Sequence, residues 1–267
     1  MKRSISLLVL AVAALFGTSI QASADDGSCS ANNFHSDGLV SYAETREQRL
    51  PSGSENYINP GQNGSIRVHG WSNQDVRVRA CIQAAAPSEE EARTLASQVA
   101  ITKGIGAIEP DGPANFSDRR WWSVSYEVWV PASSNLKMDA NNGSIALDGV
   151  QGHIQVHTQN GSLRFSQVGG DVNGATTNGS VTVDLAGSGW SGDGLHLQTT
   201  NGSVNLNVPA NFSARVEAST VNGHIKTDFP VTVSGEIERS LSFVLGSGGS
   251  TIEARTVNGS VHIGRRS

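Results

Sequence analysis

The sequence predicts an all-β protein whose strands stack as a β-solenoid, with one short α-helix near residues 88–101. Two observations predict this fold. The chain of 267 residues has 30 glycines and only 16% charged residues, a composition that favours strands and turns. The triplet Asn-Gly-Ser, or a close copy of it, also recurs seven times, and apolar and polar residues alternate around it as in strands with one buried face.

The N-terminal segment, residues 1–24, has the features of a secretory signal peptide. Lys2 and Arg3 precede an apolar run, and residues 22–24 read Ala-Ser-Ala, which predicts cleavage after Ala24. The run is too short for a membrane span, and no later stretch approaches the roughly 20 apolar residues that a span requires. We therefore expect an exported chain without a transmembrane segment, located in the periplasm, at the cell surface or outside the cell.

The charge of the mature chain argues against nucleic acid as a partner. Removal of the signal peptide takes away Lys2 and Arg3 and leaves 24 acidic against 17 basic residues. Nucleic-acid binding depends on basic residues that neutralise phosphates. The net charge of about −7 that follows from these counts therefore predicts no nucleic-acid partner.

The chain contains two cysteines, Cys29 and Cys81. An exported protein meets an oxidising compartment, so an even pair favours a disulfide, here between the N-terminal arm, residues 25–41, and a strand. The alternative is two unpaired thiols, one of them buried on the strand, because the sequence gives no separation between the two residues in space.

One segment has helical periodicity. Ser88 is a typical N-cap residue, and Glu91 three positions later completes a capping box. Four apolar residues then line one face of a helix that we expect to end between residues 101 and 104 and to pack against the N-terminal part of the sheet. These four are Ala92, Leu95, Ala96 and Val99.

Alignment of the seven triplets on their asparagines shows the strand pattern. The third residue after each asparagine is always apolar, and the fifth is apolar except at Thr227. The second residue before the asparagine is threonine in five repeats, and the intervening positions are polar. The expected inward-facing residues after the turns are Ile66, Val68, Ile145, Leu147, Leu163, Phe165, Val181, Val183, Val204, Leu206, Ile225, Val261 and Ile263.

The spacing of the turns favours a solenoid over hairpins, although Asn-Gly is also the typical hairpin turn. From Asn142 onward the asparagines follow one another after 18, 18, 23, 21 and 36 residues, a period typical of stacked arrays. We interpret each turn as a corner, the asparagines as a hydrogen-bonded ladder, and the gap of 36 residues as two repeats with a degenerate corner at Ser240. The predicted ladder consists of Asn142-Gly143, Asn160-Gly161, Asn178-Gly179, Asn201-Gly202, Asn222-Gly223 and Asn258-Gly259.

No pattern in the sequence predicts catalysis, a cofactor or a metal. His153 and His157 share one side of a strand, but residues four apart on a strand are separated by about 13 Å, too far for joint metal ligation. The outward-facing column three positions before each corner has no consistent chemistry. It contains Asp139, His157, Ala175, Gln198, Ser219 and Arg255.

Trp121, Trp122 and Trp129 form the one aromatic concentration in the chain. Alternation places Trp121 and Trp129 on one side of a strand and Trp122 on the other. We expect some of them to fill the core between the two halves of the chain, and the alternative is a binding role through stacking on a sugar or a partner.

Two stretches resemble a known family, "YEVWVPASSNLKMDANNGSIALDGVQGHIQVHTQNGSLRF" and "LGSGGSTIEARTVNGSVHI". Both are similar to the bacterial "putative adhesin" domain, a family of exported repeat proteins, and the resemblance runs from Ser41 to Ile263. It implies a right-handed, single-stranded β-solenoid over residues 42–267, with an N-terminal part, 42–130, and regular repeats, 131–267. The sequence departs from the family pattern at His224, which replaces the serine of the triplet.

We therefore expect a non-enzymatic, exported β-solenoid of the cell envelope or cell surface, with a structural or adhesive role and a glycan or an envelope protein as partner. One alternative is a carbohydrate-active β-helix enzyme, a polysaccharide lyase or hydrolase, which needs convergent charged residues in a groove. A third interpretation is a periplasmic sensor or assembly partner whose edge strands pair with another chain.

Overall fold

The computed structural model describes residues 21–22, 29–31, 38–114, 119–231 and 239–266. In these residues 20 strands and one helix form, so the prediction of an all-β protein with one helix is confirmed. Most of the signal peptide, its cleavage site after Ala24 and much of the N-terminal arm lie outside the described residues. Of the predicted signal peptide, the structure describes only Gln21–Ala22. Within the described part, no helix has the length and apolar character to cross a membrane.

The first seven strands belong to the less regular N-terminal part of the chain. Three of them have only two or three residues, and the other four have six to twelve. They are β1 (Gln21–Ala22), β2 (Val40–Pro51), β3 (Asn56–Ile58), β4 (Ile66–Trp71), β5 (Asp75–Ala86), β6 (Ala107–Ile108) and β7 (Trp121–Pro131).

The other strands belong to the repeats, and a corner joins the members of most pairs. They are β8 (Leu136–Asn142), β9 (Ile145–Asp148), β10 (Gln151–Asn160), β11 (Leu163–Ser166), β12 (Gly169–Asn178), β13 (Val181–Asp184), β14 (Gly194–Asn201), β15 (Val204–Pro209), β16 (Ala214–Asn222), β17 (Ile225–Thr227), β18 (Ser240–Leu245), β19 (Thr251–Asn258) and β20 (Val261–Arg266).

The strands form two sheets that the chain visits in turn. Sheet one has the order β1-β2-β5-β7-β4-β9-β11-β13-β15-β20-β17, and sheet two has the order β18-β16-β19-β14-β12-β10-β8-β3-β6. Each Asn-Gly corner takes the chain from a strand of sheet two to a strand of sheet one. Neighbouring repeat strands are parallel and in register, so that Asn160 lies beside Asn142 on one side and Asn178 on the other.

The inner faces of both sheets bury the predicted apolar columns in one continuous core, except that Ile225, at the end of the stack, is only partly buried. Val68, Leu147, Phe165, Val183 and Leu206 are at most 1% exposed, because each lies between equivalent residues of the repeats above and below it. The core includes residues of the N-terminal part and of the repeats, so both halves of the chain share one hydrophobic interior.

The last repeat does not stack in chain order. Strands β19 and β20 lie between the repeat formed by β14 and β15 and the repeat formed by β16 and β17. The interpretation of Ser240 as a corner is wrong, because this residue starts β18, which pairs antiparallel with β16 and places Ser240 opposite Ser219. The long gap between Asn222 and Asn258 therefore contains a strand that folds back, and not an additional repeat.

The N-terminal part extends sheet one with antiparallel strands. Strands β1, β2, β5 and β7 pair antiparallel, and β7 then pairs parallel with β4 at the start of the regular stack. Helix α1 (Glu89–Ser97) packs on β2 and β5. Arg46 donates hydrogen bonds to the carbonyl oxygens of Ala96, in the last turn of the helix, and of Val99, beyond its end. The expected packing of the helix against this part of the sheet is thus what the structure shows.

The helix is shorter than its apolar periodicity predicts. Its N-cap is Ser88, whose Oγ accepts a hydrogen bond from the backbone N–H of Glu91. The carboxylate of Glu91 pairs with Arg120. The helix ends at Ser97 because Ala100 forms an antiparallel bridge with Asp111, and Val99 is buried in an irregular segment.

Three hydrogen-bonded ladders hold the corners together, and the asparagine side chains form the first. Six of the seven asparagines donate a hydrogen bond from Nδ2 to the Oδ1 of the asparagine in the adjacent repeat, at 2.8–3.0 Å. In spatial order the ladder runs through Asn63, Asn142, Asn160, Asn178, Asn201, Asn258 and Asn222.

Threonine and serine supply the other two ladders. The buried threonine two residues before the corner donates its hydroxyl to a corner glycine of the adjacent repeat, as Thr158 does to Gly143 at 2.9 Å. The serine that ends the triplet accepts a backbone N–H from the next repeat, as Ser144 does from Ser162 at 3.2 Å. His224 replaces this serine in the repeat at the end of the stack. Among the described residues, no further repeat there donates a backbone N–H to position 224.

The corner glycines are required by the close approach of neighbouring repeats. A Cβ on Gly161 would lie 2.1 Å from the carbonyl oxygen of Gly143, and a Cβ on Gly179 would lie 2.0 Å from that of Gly161. Neither glycine has a positive φ, so the conformation of the turn does not require glycine at these two positions. A side chain is excluded there because it would clash with the backbone of the adjacent repeat.

Substitution of a corner glycine should destabilise the whole stack. We expect Gly161→Ala to lower the free energy of unfolding by about 3 kcal/mol or more, because the added methyl meets backbone that cannot move without breaking the register. Gly264→Ala is the matched control, since its Cβ would meet its nearest neighbour, Cε1 of His262, at 3.4 Å. Urea unfolding followed by circular dichroism measures both changes, and similar losses in the two variants would contradict this explanation.

Candidate functional site

The outer face of sheet two carries two adjoining depressions among polar side chains. The first has a volume of about 290 Å³ and extends over β8, β10, β12, β14 and β19. The second, about 320 Å³, extends over β16, β18 and β19, and both include Glu253 and Arg255 in their walls. We call the two together the outer groove.

The first depression exists because one small residue interrupts an outward-facing row. Parallel register places Ala175 between His157 and Gln198, and both of these neighbours have long side chains. Lys137, Asn173 and Arg255 also line the depression, so that amides and charged groups surround a floor of one methyl group. Such a surface can form several hydrogen bonds to a polar ligand at once.

The second depression contains two glutamates on neighbouring strands. Register places Glu217 of β16 directly beside Glu253 of β19, and parallel neighbours lie about 5 Å apart. Glu253 is held by Arg255 and by His196, whose Nδ1 lies 3.0 Å from Glu253 Oε2. Glu217 forms no ion pair with another residue of the described ranges. Within the described ranges, the carboxylate of Glu253 is therefore ion-paired, whereas the carboxylate of Glu217 beside it is not.

Sequence reasoning missed this glutamate pair. The column five positions before each corner contains both residues, but only the column three positions before was considered. The aligned repeats place both glutamates at the same position before a corner. The sequence therefore already predicts that they lie on the same face of one sheet. They are register partners because the segment between them folds back as β18 and forms no additional repeat.

Histidines on the strands pair with carboxylates of neighbouring strands. On the outer face of sheet two, His153 Nδ1 lies 3.0 Å from Asp171 Oδ2, and His157 Nδ1 lies 4.0 Å from Asp139 Oδ1. Among the described residues, no three His, Cys, Asp or Glu side chains converge as metal ligands would. These histidines thus act as cross-strand partners within the described part of the chain.

The three tryptophans occupy different environments. Trp129 faces outward on sheet one, stacks on His69 with a centroid separation of 5.5 Å, and lies under the Arg77 guanidinium at 4.7 Å. Trp122 faces inward, packs against the core and donates its Nε1–H to the carbonyl oxygen of Pro113 at 2.9 Å. Trp121 is half-buried at the start of β7. The three rings form no common platform.

An ion-pair network surrounds Trp129 on the outer face of sheet one. Glu47 accepts hydrogen bonds from Arg77 Nη2 at 2.8 Å and from Arg79 Nε at 2.8 Å. The hydrogen bond from Arg77 is the main cause that lowers the pKa of the Glu47 carboxyl below its usual value. The hydrogen bond from Arg79 lowers the pKa further, whereas partial burial of Glu47 raises it. His69 and Glu127 continue the network at 3.2 Å.

Cys29 and Cys81 form a disulfide, with Cα atoms 5.4 Å apart. The bond connects the N-terminal arm to β5 on the outer face of sheet one. Gln83 strengthens the same attachment, because its Nε2 donates to the carbonyl oxygen of Ser30 at 2.9 Å. The disulfide closes a loop across 52 positions, and loop closure of this length stabilises a fold by roughly 4 kcal/mol in the chain-entropy account.

Comparison with known proteins gives one family match. Residues 132–264 match the model of the family described as Toastrack DUF4097. The match starts after β7, so it covers the regular repeats and not the antiparallel N-terminal part that the sequence resemblance included. No curated protein matches the chain.

Solved structures with distant similarity come from Clostridium, Bacteroides and Parabacteroides. A "putative cell adhesion protein" from Clostridium sporogenes is 12% identical, with a TM-score of 0.42, over 85% of this chain and 100% of its own. A "putative adhesin" from Bacteroides fragilis is 14% identical, with a TM-score of 0.36, over 86% of this chain and 98% of its own. A "putative lipid binding protein" from Parabacteroides distasonis is 9% identical, with a TM-score of 0.29, over 84% of this chain and 97% of its own.

The Glu47 network should make stability depend on pH. A carboxyl with a lowered pKa in the folded state stabilises the fold above its unfolded pKa, and this contribution is lost as pH falls through the folded value. We expect Glu47→Gln to lower the melting temperature at pH 7 and to reduce the further loss between pH 5 and pH 3. Glu90→Gln, on the exposed side of α1, is the control. Equal pH profiles for wild type and Glu47→Gln, measured by calorimetry, would contradict the role of this network.

Proposed function

We propose that this chain, whose residues 132–264 match the model of the Toastrack DUF4097 family, is a non-enzymatic, exported β-solenoid of the cell envelope with a structural or adhesive role. Its partner is a glycan or an envelope protein bound at the outer groove. The signal-peptide pattern of residues 1–24 supports export, and the Cys29–Cys81 disulfide is consistent with an oxidising compartment.

The proposed solenoid is right-handed. The chain leaves a strand of sheet two, passes through sheet one and returns to the parallel neighbour of the first strand, as from β8 through β9 to β10. Connections between parallel strands of one sheet are right-handed in almost all proteins, because the twist of the strands favours that direction. Residues 42–267 form one domain in this proposal, and the continuous core across both halves supports that boundary.

The observation that carries the proposal is the rigid presentation of polar rows. Corner ladders fix each repeat to the next, so an outward residue has a set position relative to its neighbours in adjacent repeats. At the outer groove this arrangement holds amide and charged side chains around Ala175 in a constant spacing. A binding surface benefits from such fixed donors and acceptors, because little conformational entropy is lost when a ligand binds.

The spacing of carboxylates in the first depression supports a non-enzymatic role. Asp139 lies on β8 and Glu253 on β19, which are four strands apart and therefore separated by about 19 Å. Glycoside hydrolases place their two carboxyl groups roughly 5 to 10 Å apart. These two residues cannot act on one glycosidic bond.

A glycan array combined with a turnover assay tests the proposal. We expect the chain to bind a subset of glycans and to release no reducing sugar or unsaturated product from them. Ala175→Gln should weaken binding about 10-fold or more, because its side chain fills the depression and faces away from the core. Thr182→Gln, at an outward position on β13 of the same repeat, is the control. Product release by the wild-type chain would contradict a non-enzymatic role.

The glutamate pair in the second depression favours one other candidate function, a retaining glycosidase. The backbones of Glu217 and Glu253 lie about 5 Å apart on neighbouring strands, which allows their carboxyl groups to approach the separation of about 5 Å that a nucleophile and an acid/base residue need in that reaction. The engaged Glu253 suits the nucleophile, and the free Glu217 suits the acid/base residue.

Substitution of Glu217 distinguishes the two functions. If the chain hydrolyses a glycan, Glu217→Gln should reduce turnover by at least about 100-fold without changing the melting temperature. If the chain only binds glycans, the same variant should bind them with an affinity close to that of the wild type. Hydrolysis that persists in Glu217→Gln would exclude the glutamate pair as its catalytic site.

A further inference from the structure

A second cavity, on the opposite side of the molecule from the outer groove, has a different chemistry. It lies on the outer face of sheet one beside the disulfide and has a volume of about 240 Å³. Small residues line it, Ser65, Ser125, Ser144 and Ala146, together with the charged residues Arg67, Arg79 and Glu127. The cavity thus combines hydroxyl groups with the exposed cation Arg67, beside an ion pair between Arg79 and Glu127.

Arg67 belongs to an outward row with a second arginine. Parallel register places Arg67 of β4 beside Ala146 of β9, and Ala146 beside Arg164 of β11. The two arginines are therefore two strands, or about 10 Å, apart at their backbones, with one methyl group between them. Both side chains are exposed.

These two arginines differ from the cations around them. Arg77 and Arg79 bind Glu47, and Arg49 binds Asp75 at 2.8 Å. Neither Arg67 nor Arg164 forms an ion pair or a hydrogen bond through its guanidinium with any residue in the described part of the chain. Two cations of the same row are therefore available to an external anion.

The carboxylates closest to this row in sequence register have other partners. Glu127 lies beside Arg67 on β7 but contacts His69 at 3.2 Å and Arg79 at 3.6 Å. Asp148, two residues after Ala146, accepts a hydrogen bond from Ser166 at 2.5 Å. The row from Arg67 to Arg164 is thus locally positive on a chain whose formal net charge is −5.

We propose that Arg67 and Arg164, with the serine-lined cavity between them and the disulfide, bind an acidic polysaccharide. A polymer that carries carboxylate or sulfate groups at intervals can pair with both guanidinium groups at once, and arginine binds such oxyanions through paired N–H donors. The serine hydroxyls and the 240 Å³ cavity accommodate a sugar ring beside the first anionic group. The site is separate from the outer groove and does not depend on the function proposed for it.

Binding to defined polymers tests this site. The probes are polygalacturonate, dextran sulfate and neutral dextran, measured by isothermal titration calorimetry at low and high NaCl. We expect at least one acidic polymer to bind, neutral dextran not to bind, and high salt to weaken the interaction, because salt screens exposed charges. The variant Arg67→Gln/Arg164→Gln should lose about 10-fold or more in affinity, since each charge-assisted hydrogen bond contributes on the order of 10-fold.

Two control variants separate this site from general charge and from the outer groove. Arg215→Gln removes an exposed arginine on β16 of sheet two and should leave the affinity unchanged. Ala175→Gln alters the outer groove and should also leave it unchanged. Melting temperatures confirm that all variants fold.

Three results would overturn the proposal. The first is that neither acidic polymer binds the wild-type chain, and the second is that Arg215→Gln loses as much affinity as the double variant. The third is that inorganic phosphate competes with the polymer at an equal concentration of anionic groups, since this would indicate a site for a free anion and not for a polysaccharide.

Discussion

The close approach of backbone at the corners is the constraint on which the rest of the structure depends. Each corner glycine lies so near the preceding repeat that an added Cβ would come within about 2 Å of a carbonyl oxygen, as at Gly161, Gly179 and Gly202. Only one register allows this contact, and that register brings the asparagine amides, the threonine hydroxyls and the serine hydroxyls within hydrogen-bond distance. The threonine ladder gives hydrogen-bond partners to hydroxyl groups that are buried behind the corners, as at Thr158 and Thr199.

Corner geometry also explains why the last repeat can stack out of chain order. A repeat with the complete set of corner residues fits beside any other, so Asn258 bonds to Asn201 on one side and to Asn222 on the other. Strand β18 then covers β16 at the edge of sheet two. At that end of the stack His224 replaces serine without the loss of a hydrogen bond among the described residues. No backbone N–H of a further repeat lies there for a serine hydroxyl to accept.

Sequence reasoning predicted the repeats well because their information is local. Alternation, the Thr-x-Asn-Gly pattern and the fixed spacing identified the strands and the inward columns, such as Ile145 and Leu163. It failed where distant segments compete for one position. Neither the insertion of β19 beside β16 nor the antiparallel role of Ser240 could be predicted, because any repeat presents the same corner to its neighbours. The pairing of Glu217 with Glu253 was missed because the sequence predicted an additional repeat between them at Ser240. The early end of α1 was missed because it depends on the pairing of Ala100 with Asp111.

The outward columns are where such a fold can acquire binding sites without a loss of stability. Inward positions and corner positions are fixed by packing and by register, whereas an outward side chain contacts only its neighbours in the same row. Ala175 on sheet two and Ala146 on sheet one are both small residues in rows of longer side chains, and a depression lies over each of them. Cross-strand pairing neutralises most charges along these rows, as between His153 and Asp171. The stability of the fold therefore does not depend on the charges that have no ion pair beside these small residues, such as Arg67 and Arg164 on either side of Ala146.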